Sequence, residues 1–306
     1  MAKTRRQLGA DPALGLRMLA TMLMLAALYS AFVWVLWQAG AGTVTIIFFV
    51  AVMVGIQYFF SDQLVLASMR ARIVTPNEEP GLHATIARLA AVADMPIPRL
   101  AIMESDVPNA FATGRSPGHS AVAVTRGLIR RLNPAELEAV LAHELSHIKH
   151  RDVAVMTFAS FFATVASLIV QNVFYMRRYG GMGMGRRRGR SDRGGEGLMI
   201  VWLAAFVVWA VSYFLIRALS RYREYAADRG AAILTGSPAN LMSALLSISG
   251  AMDRIPVQDM REVSGLNAFL IVPALRRESL AELFSTHPSL ERRLDHLQRI
   301  EQEMRR

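Results

Sequence analysis

From Met18 to Ser61 the chain carries no Asp, Glu, Lys, Arg or His. Gln38, Gly40 and Gly42 interrupt the run and divide it into two apolar stretches, Met18–Trp37 and Thr43–Phe60, each close to the ~20 residues that cross a bilayer core. Trp34, Trp37, Tyr58 and the Phe59–Phe60 pair lie towards the ends of these stretches, where interfacial aromatics concentrate. The first run is too long for a cleaved signal peptide, and a second follows at once. Two more apolar stretches occur at Val153–Tyr175 and Leu198–Ile216. Between them, 176–197 is rich in Arg, Gly and Met and has no hydrophobic period, which predicts a disordered loop.

The remaining chain reads as a soluble domain in two parts, 62–152 and 218–306. Helical periodicity covers Gly81–Ala93 and stops at Met95-Pro-Ile-Pro98. Leu100–Glu104 and Ala121–Thr125 read as strands, with Ala110–Thr113 a third between them. Asn133-Pro134-Ala-Glu136 opens a helix with a cap, a first-turn proline and a capping-box acid, and that helix should run to about His150. The partition is thus a basic tail at 1–17, an apolar hairpin at 18–61, a first domain part, a span at 153–175, the Arg/Gly loop, a span at 198–217, and a largely helical second part.

Charge and cysteine narrow the function classes. Net charge is +10, but most of the excess flanks apolar stretches. Basic residues there set membrane topology and meet anionic lipid, and no nucleic-acid recognition motif accompanies them, so the expected partner is the bilayer and not nucleic acid. The chain has no cysteine, which excludes disulfides, thiolate metal sites and cysteine nucleophiles.

His143-Glu144-Leu145-Ser146-His147 is an H-E-x-x-H pattern on the predicted helix. At 100° per residue the two His share a face and can reach one ion, while Glu144 lies on its flank. Leu137, Leu141, Leu145 and Ile148 form the opposite, core-facing side. A catalytic zinc needs a third protein ligand and an open position. Arg223-Glu224-Tyr-Ala-Ala-Asp228 offers two carboxylates on one helical face after the last apolar stretch, Glu224 as ligand and Asp228 as hydrogen-bond partner to a ligating His. The alternative is a solvated face with Arg221 and Arg223 in surface pairs; the upstream motif favours the first reading. His150 shares the face of the two His but lies a turn too far, on the domain surface.

Four blocks together, Asp106-Val-Pro-Asn-Ala-Phe-Ala-Thr-Gly114, Leu141–His147, Arg223–Asp228 and Phe284-Ser-Thr-His-Pro-Ser289, resemble the HtpX family of bacterial membrane zinc metalloproteases, relatives of the CAAX prenyl proteases. The resemblance runs from about residue 60 to 295. It implies a mainly α membrane protein with a small β-sheet, a gluzincin-like HExxH domain and about four apolar spans. It also implies Zn2+ held by His143, His147 and Glu224, Glu144 as general base, and Asp228 orienting a ligand. By the same carry-over Asn109, Ala110 and Phe111 hold the substrate backbone by strand addition, and His287 and Arg293 lie near the reacting carbonyl. Misfolded or damaged membrane proteins are the implied polypeptide substrates. A dedicated processing peptidase and a non-catalytic zinc scaffold are the rivals, and the intact Glu144 argues against the scaffold. Oligomeric state is beyond the sequence.

His143 and Glu224 must meet, so the chain between them crosses the membrane an even number of times. Eleven basic residues then flank the spans on the active-site side against seven in the loop. That balance places the active site in the cytoplasm of a multi-pass inner-membrane protein. A shallow hairpin formed by the last two stretches is the alternative.

Overall fold

The structure is a computed structural model describing residues 12–38, 65–179, 193–252 and 287–306, with scattered positions between 42 and 63. Most of the second apolar stretch at 43–60 and of the Arg/Gly loop lies outside the described residues. Three apolar helices are long enough to cross a membrane among the described residues: α1 (Pro12–Gln38), α5 (Asp152–Tyr179) and α6 (Arg193–Thr235). Their apolar stretches are only 22%, 19% and 17% buried. Leu19, Leu23, Trp34, Leu203, Phe206 and Phe214 face outward. Apolar surface on this scale calls for lipid, so the chain is a membrane protein.

The three helices pack on one another through Leu25, Phe32, Ala159, Ala166, Ala205, Val208 and Leu219. Small residues at Ala159, Ala166 and Ala205 let the backbones approach. Tyr29 donates its hydroxyl hydrogen to the Ala159 carbonyl at 2.5 Å, tying α1 to α5.

The polar-faced part holds a four-stranded sheet of β1 (Arg72–Ile73), β2 (Arg99–Met103), β3 (Ala110–Ser116) and β4 (His119–Thr125) in the order β1-β2-β4-β3. The β2–β4 pair is parallel and the other two are antiparallel. The strand at Arg72–Ile73 is too short to carry a hydrophobic period, and the sequence reading missed it. Alternation sorts the sheet's side chains onto two faces. Leu100, Ile102, Ala110, Val122 and Val124 join the main core, while Ala101, Met103, Phe111, Ala121 and Ala123 pack with Leu66, just past the first apolar segments. The main core is completed by helices α2 (Pro80–Ala93), α4 (Pro134–Lys149), α7 (Pro238–Met252) and α8 (Leu290–Arg305), with short α3 (Arg126–Arg131) leading into α4.

Helix α4 begins as its sequence dictates. Asn133 Oδ1 accepts from the Glu136 N–H at 2.9 Å, and Glu136 Oε2 accepts from the Asn133 N–H at 3.0 Å. Glu136 Oε1 also accepts from the Ser243 hydroxyl at 2.5 Å, which docks α7 on the same cap. Helix α6 runs unbroken through residue 217, where the sequence partition placed a boundary. No Gly or Pro occurs between Leu198 and Arg229 to stop it. Its 43 residues make a rod of ~65 Å, so one helix carries both an apolar stretch and the Glu224–Asp228 face.

Where α6 crosses α4, Gly230 lies against Ser146. A Cβ at 230 would fall 2.4 Å from Ser146 Oγ and 2.8 Å from Ser146 Cβ. The Cβ of Ser146 is fixed by its own helix, so the two helices would have to separate. Gly230→Ala should therefore destabilise the protein by about 1–3 kcal/mol. In thermal unfolding of the detergent-purified chain, adding Ser146→Gly should recover part of that loss, whereas Ser146→Ala, which removes the Oγ contact but keeps the Cβ, should recover less. Additive effects of Gly230→Ala and Ser146→Gly would show that this contact does not set the helix spacing.

Candidate metal centre

The crossing of α4 and α6 brings His143, His147 and Glu224 together. One ligand atom from each lies within 4.8 Å of the others, and all three residues are buried. The imidazole edges face each other, with His143 Nε2 and His147 Nε2 3.1 Å apart and the rings edge-on at 89°. Glu224 Oε2 lies 3.6 Å from His143 Nε2, and Oε1 lies 3.5 Å from His147 Nε2.

Each imidazole has a carboxylate at its other nitrogen. His143 Nδ1 lies 3.0 Å from Asp228 Oδ1, off the line of a full hydrogen bond. His147 Nδ1 lies 2.6 Å from Asp152 Oδ2. Carboxylates at both Nδ1 atoms select the tautomers that leave Nε2 unprotonated and facing inward. Two nitrogen donors and a carboxylate converging on one point fit a tetrahedral zinc-type ion with one position open.

Burial opposes protonation of His143, but the carboxylates of Asp228 and Glu224 outweigh it and bring its pKa up to about 9. Asp228, about three turns beyond the apolar stretch of α6, is fully buried, which by itself raises its pKa. Arg293 and His143 reverse that and hold it at about 2. Arg293 Nε donates to Asp228 Oδ2 at 3.0 Å and Nη2 donates to Oδ1 at 2.6 Å, the fork geometry for which guanidinium is suited. Burial disfavours the charged Arg293, but Asp228 raises its pKa above the usual value.

The remaining expected residues fall close to this centre. Glu144 is 4% exposed and near enough to Arg293 to act on its charge. Among the described residues it has no hydrogen-bond or ion-pair partner. His287 Nδ1 is 3.3 Å from Glu224 Oε2. Arg293 is only 2% exposed and is 3.6 Å from Glu224, so it stands behind the carboxylates. His150 is exposed at the C-cap of α4 and lies outside the His–His–Glu group.

The Asn109–Phe111 segment enters β3, which is the edge of the sheet among the described residues. Its three residues differ in what they offer. Asn109 donates its N–H to Thr125 Oγ1 at 2.9 Å, and its carbonyl accepts from the Thr125 N–H at 2.9 Å. Alternation along an antiparallel pair then turns the backbone of Phe111 towards β4 as well, and leaves Ala110 and Ala112 facing the free edge. Strand addition at this edge would therefore use Ala110 and Ala112, with Asn109 and Phe111 holding the strand in place.

Asp152 and Arg223 were not singled out as a pair by the sequence. Asp152 Oδ1 lies 3.1 Å from Arg223 Nε, and the Arg223 side chain is only 12% exposed, so it does not lie on a solvated face. Arg151 adopts φ 56°, a left-handed turn between α4 and α5 that lets the next carboxylate swing back to His147. The available signal was a lone acid at the head of an apolar run, where an unpartnered charge is costly.

The profile of peptidase family M48 matches residues 76–301. A protein named Protease HtpX homolog from Moorella thermoacetica is 62% identical over 300 residues, covering 98% of each chain. Protease HtpX homolog 2 from Methanosarcina acetivorans is 54% identical over 288 residues, covering 94% of this chain and 95% of its own. The crystal structure of S. mikatae Ste24p superposes with a TM-score of 0.56 at 19% identity, covering 94% of this chain and 67% of that one, a likeness of fold alone. The chain therefore belongs to peptidase family M48.

Proposed function

We propose that this protein is a zinc-dependent endopeptidase of the cell membrane that hydrolyses peptide bonds in misfolded or damaged membrane proteins. The observation that carries the reading is the convergence of His143, His147 and Glu224 on one buried point, with the buried Glu144 next to His143 on the same helix and without a hydrogen-bond or ion-pair partner among the described residues. The names of the HtpX relatives support proteolysis. His143, His147 and Glu224 would hold one Zn2+ per chain, which supplies the Lewis acidity for hydrolysis.

The chain's own residues carry the rest. Glu144 accepts a proton from the attacking water and delivers it to the nitrogen of the departing amine, so one water is added across the C–N bond. Asp228 orients His143, and Arg293 acts through Asp228 as a positioning residue. His287, at the side of Glu224, is assigned to the reacting carbonyl. The free edge of β3 holds the substrate as an added strand through the backbone of Ala110 and Ala112, which recognises extended chain and not a particular side chain. Such recognition suits unfolded substrates. A non-catalytic zinc scaffold would have no use for a buried carboxylate at position 144 that finds no partner among the described residues, because such a group is costly to bury.

Two predictions follow from these assignments. Glu144→Gln should retain stoichiometric zinc by elemental analysis and lose about 10²–10⁴-fold in turnover of casein or a model membrane protein. Undiminished turnover by the zinc-loaded Gln variant would remove Glu144 from the mechanism.

The second prediction concerns orientation. The apolar stretches of α5 and α6 both end at the metal centre, which supports an out-and-back crossing with that centre in the cytoplasm. In this cysteine-free chain, single cysteines at Gly185 and Ser237 report the two sides. An impermeant maleimide applied to intact cells should label position 185 and spare 237. Labelling of 237 alone would reverse the orientation, and labelling of neither would support a shallow hairpin.

A further inference from the structure

Asp152 is the first residue of α5 and is 1% exposed. A carboxylate held out of water at the mouth of an apolar helix is stable only with partners of opposite charge or with hydrogen-bond donors. It has one of each kind. Oδ2 takes the Nδ1 side of His147 at 2.6 Å, and Oδ1 takes the Arg223 guanidinium at 3.1 Å. Arg223 precedes Glu224 on α6. A single carboxylate thus joins the last turn of α4, the first turn of α5 and the part of α6 that supplies the third candidate ligand.

We propose that Asp152 is a positioning residue that fixes the orientation and tautomer of His147, and that Arg223 holds Asp152 in place to do so. The inference rests on the metal-centre reading given above. An imidazole that donates Nδ1–H to a carboxylate presents Nε2 as a more basic donor in a fixed direction. Asp152, from α5, stands in this relation to His147, and Asp228, from α6, lies 3.0 Å from the corresponding nitrogen of His143. The guanidinium of Arg223 compensates the charge of Asp152 at this buried position. Both apolar helices therefore meet the metal centre through charged residues, Asp152 at the head of α5 and Arg223–Asp228 within α6, and the donor set is oriented only when both are docked on α4.

The test uses the full chain in detergent, with zinc affinity measured by competition with a chromophoric chelator and the melting temperature of the metal-free protein measured in parallel. Asp152→Ala should weaken zinc binding about 10–100-fold. Asp152→Asn, whose amide oxygen still accepts from Nδ1–H but carries no charge, should weaken it by a smaller but measurable factor, about 3–10-fold. Arg223→Gln should weaken binding alone but add little to Asp152→Ala, because it acts through Asp152. If Asp152→Ala does not fold, the near-isosteric Asn variant carries the comparison. A purely structural role would lower the metal-free melting temperature and leave the zinc affinity of both Asp152 variants at the wild-type value. That result overturns the inference. Glu224→Ala separates it from the underlying reading. Weak zinc binding by Glu224→Ala with wild-type affinity in the Asp152 variants defeats this inference alone. Wild-type affinity in Glu224→Ala defeats the metal-centre reading and this inference with it.

Discussion

Two imidazole nitrogens 3.1 Å apart in a buried site, His143 Nε2 and His147 Nε2, are compatible only with a proton or a cation shared between their lone pairs. Everything around them serves that convergence. One helical turn of α4 sets the spacing. Asp228 and Asp152 take the opposite nitrogens, so neither ring is free to turn its donor away. Arg293 and Arg223 compensate those carboxylates in turn. Burying so many charges is favourable only when nearly every one is paired, and removal of a single member leaves its partner uncompensated. Among the described residues Glu144 is the exception to the pairing, as the proposed role of proton acceptor requires.

The same network explains how a soluble core and a membrane bundle form one protein. Helix α6 belongs to both: Val208 and Leu219 pack among the apolar helices, and Ala231 and Ala232 pack in the core beneath the sheet. Between them, within four residues, lie Glu224 and Asp228. Gly230 allows α6 to approach α4 closely at Ser146, one residue from His147. The approach distance of two helices thereby becomes the approach distance of a carboxylate to two imidazoles. The metal centre is built at the seam, not within either half.

Much of this could be read in the sequence because the signals were local. The cap at Asn133–Glu136 and the pattern His143–His147 each lie within one or two helical turns, and three of the apolar stretches were long enough to declare themselves as the helices described. The Glu224–Asp228 pair was readable because it is a second helical spacing placed just after an apolar run. What escaped depends on folding back. Asp152 meets His147 only through a left-handed turn at Arg151, and no periodicity signals such a turn at a residue other than Gly. The pairing of Arg293 with Asp228 spans 65 positions, and a long-range ion pair leaves no mark on local pattern. The strand at Arg72–Ile73 exists because β2 offers an edge to it. The direction in which each residue of Asn109–Phe111 points was likewise decided by Thr125 across the hairpin.

The central claim is that the metal takes two imidazoles and one carboxylate from this chain. X-ray absorption at the zinc edge of the purified, zinc-loaded protein reads that donor set directly. The account predicts a sulfur-free shell of nitrogen and oxygen donors at about 2.0–2.2 Å, with the multiple-scattering signature of two imidazoles. Glu224→Ala should alter the oxygen donors and leave the imidazole count at two. A wild-type spectrum that requires three imidazoles would bring His287 onto the metal in place of Glu224 and contradict the account.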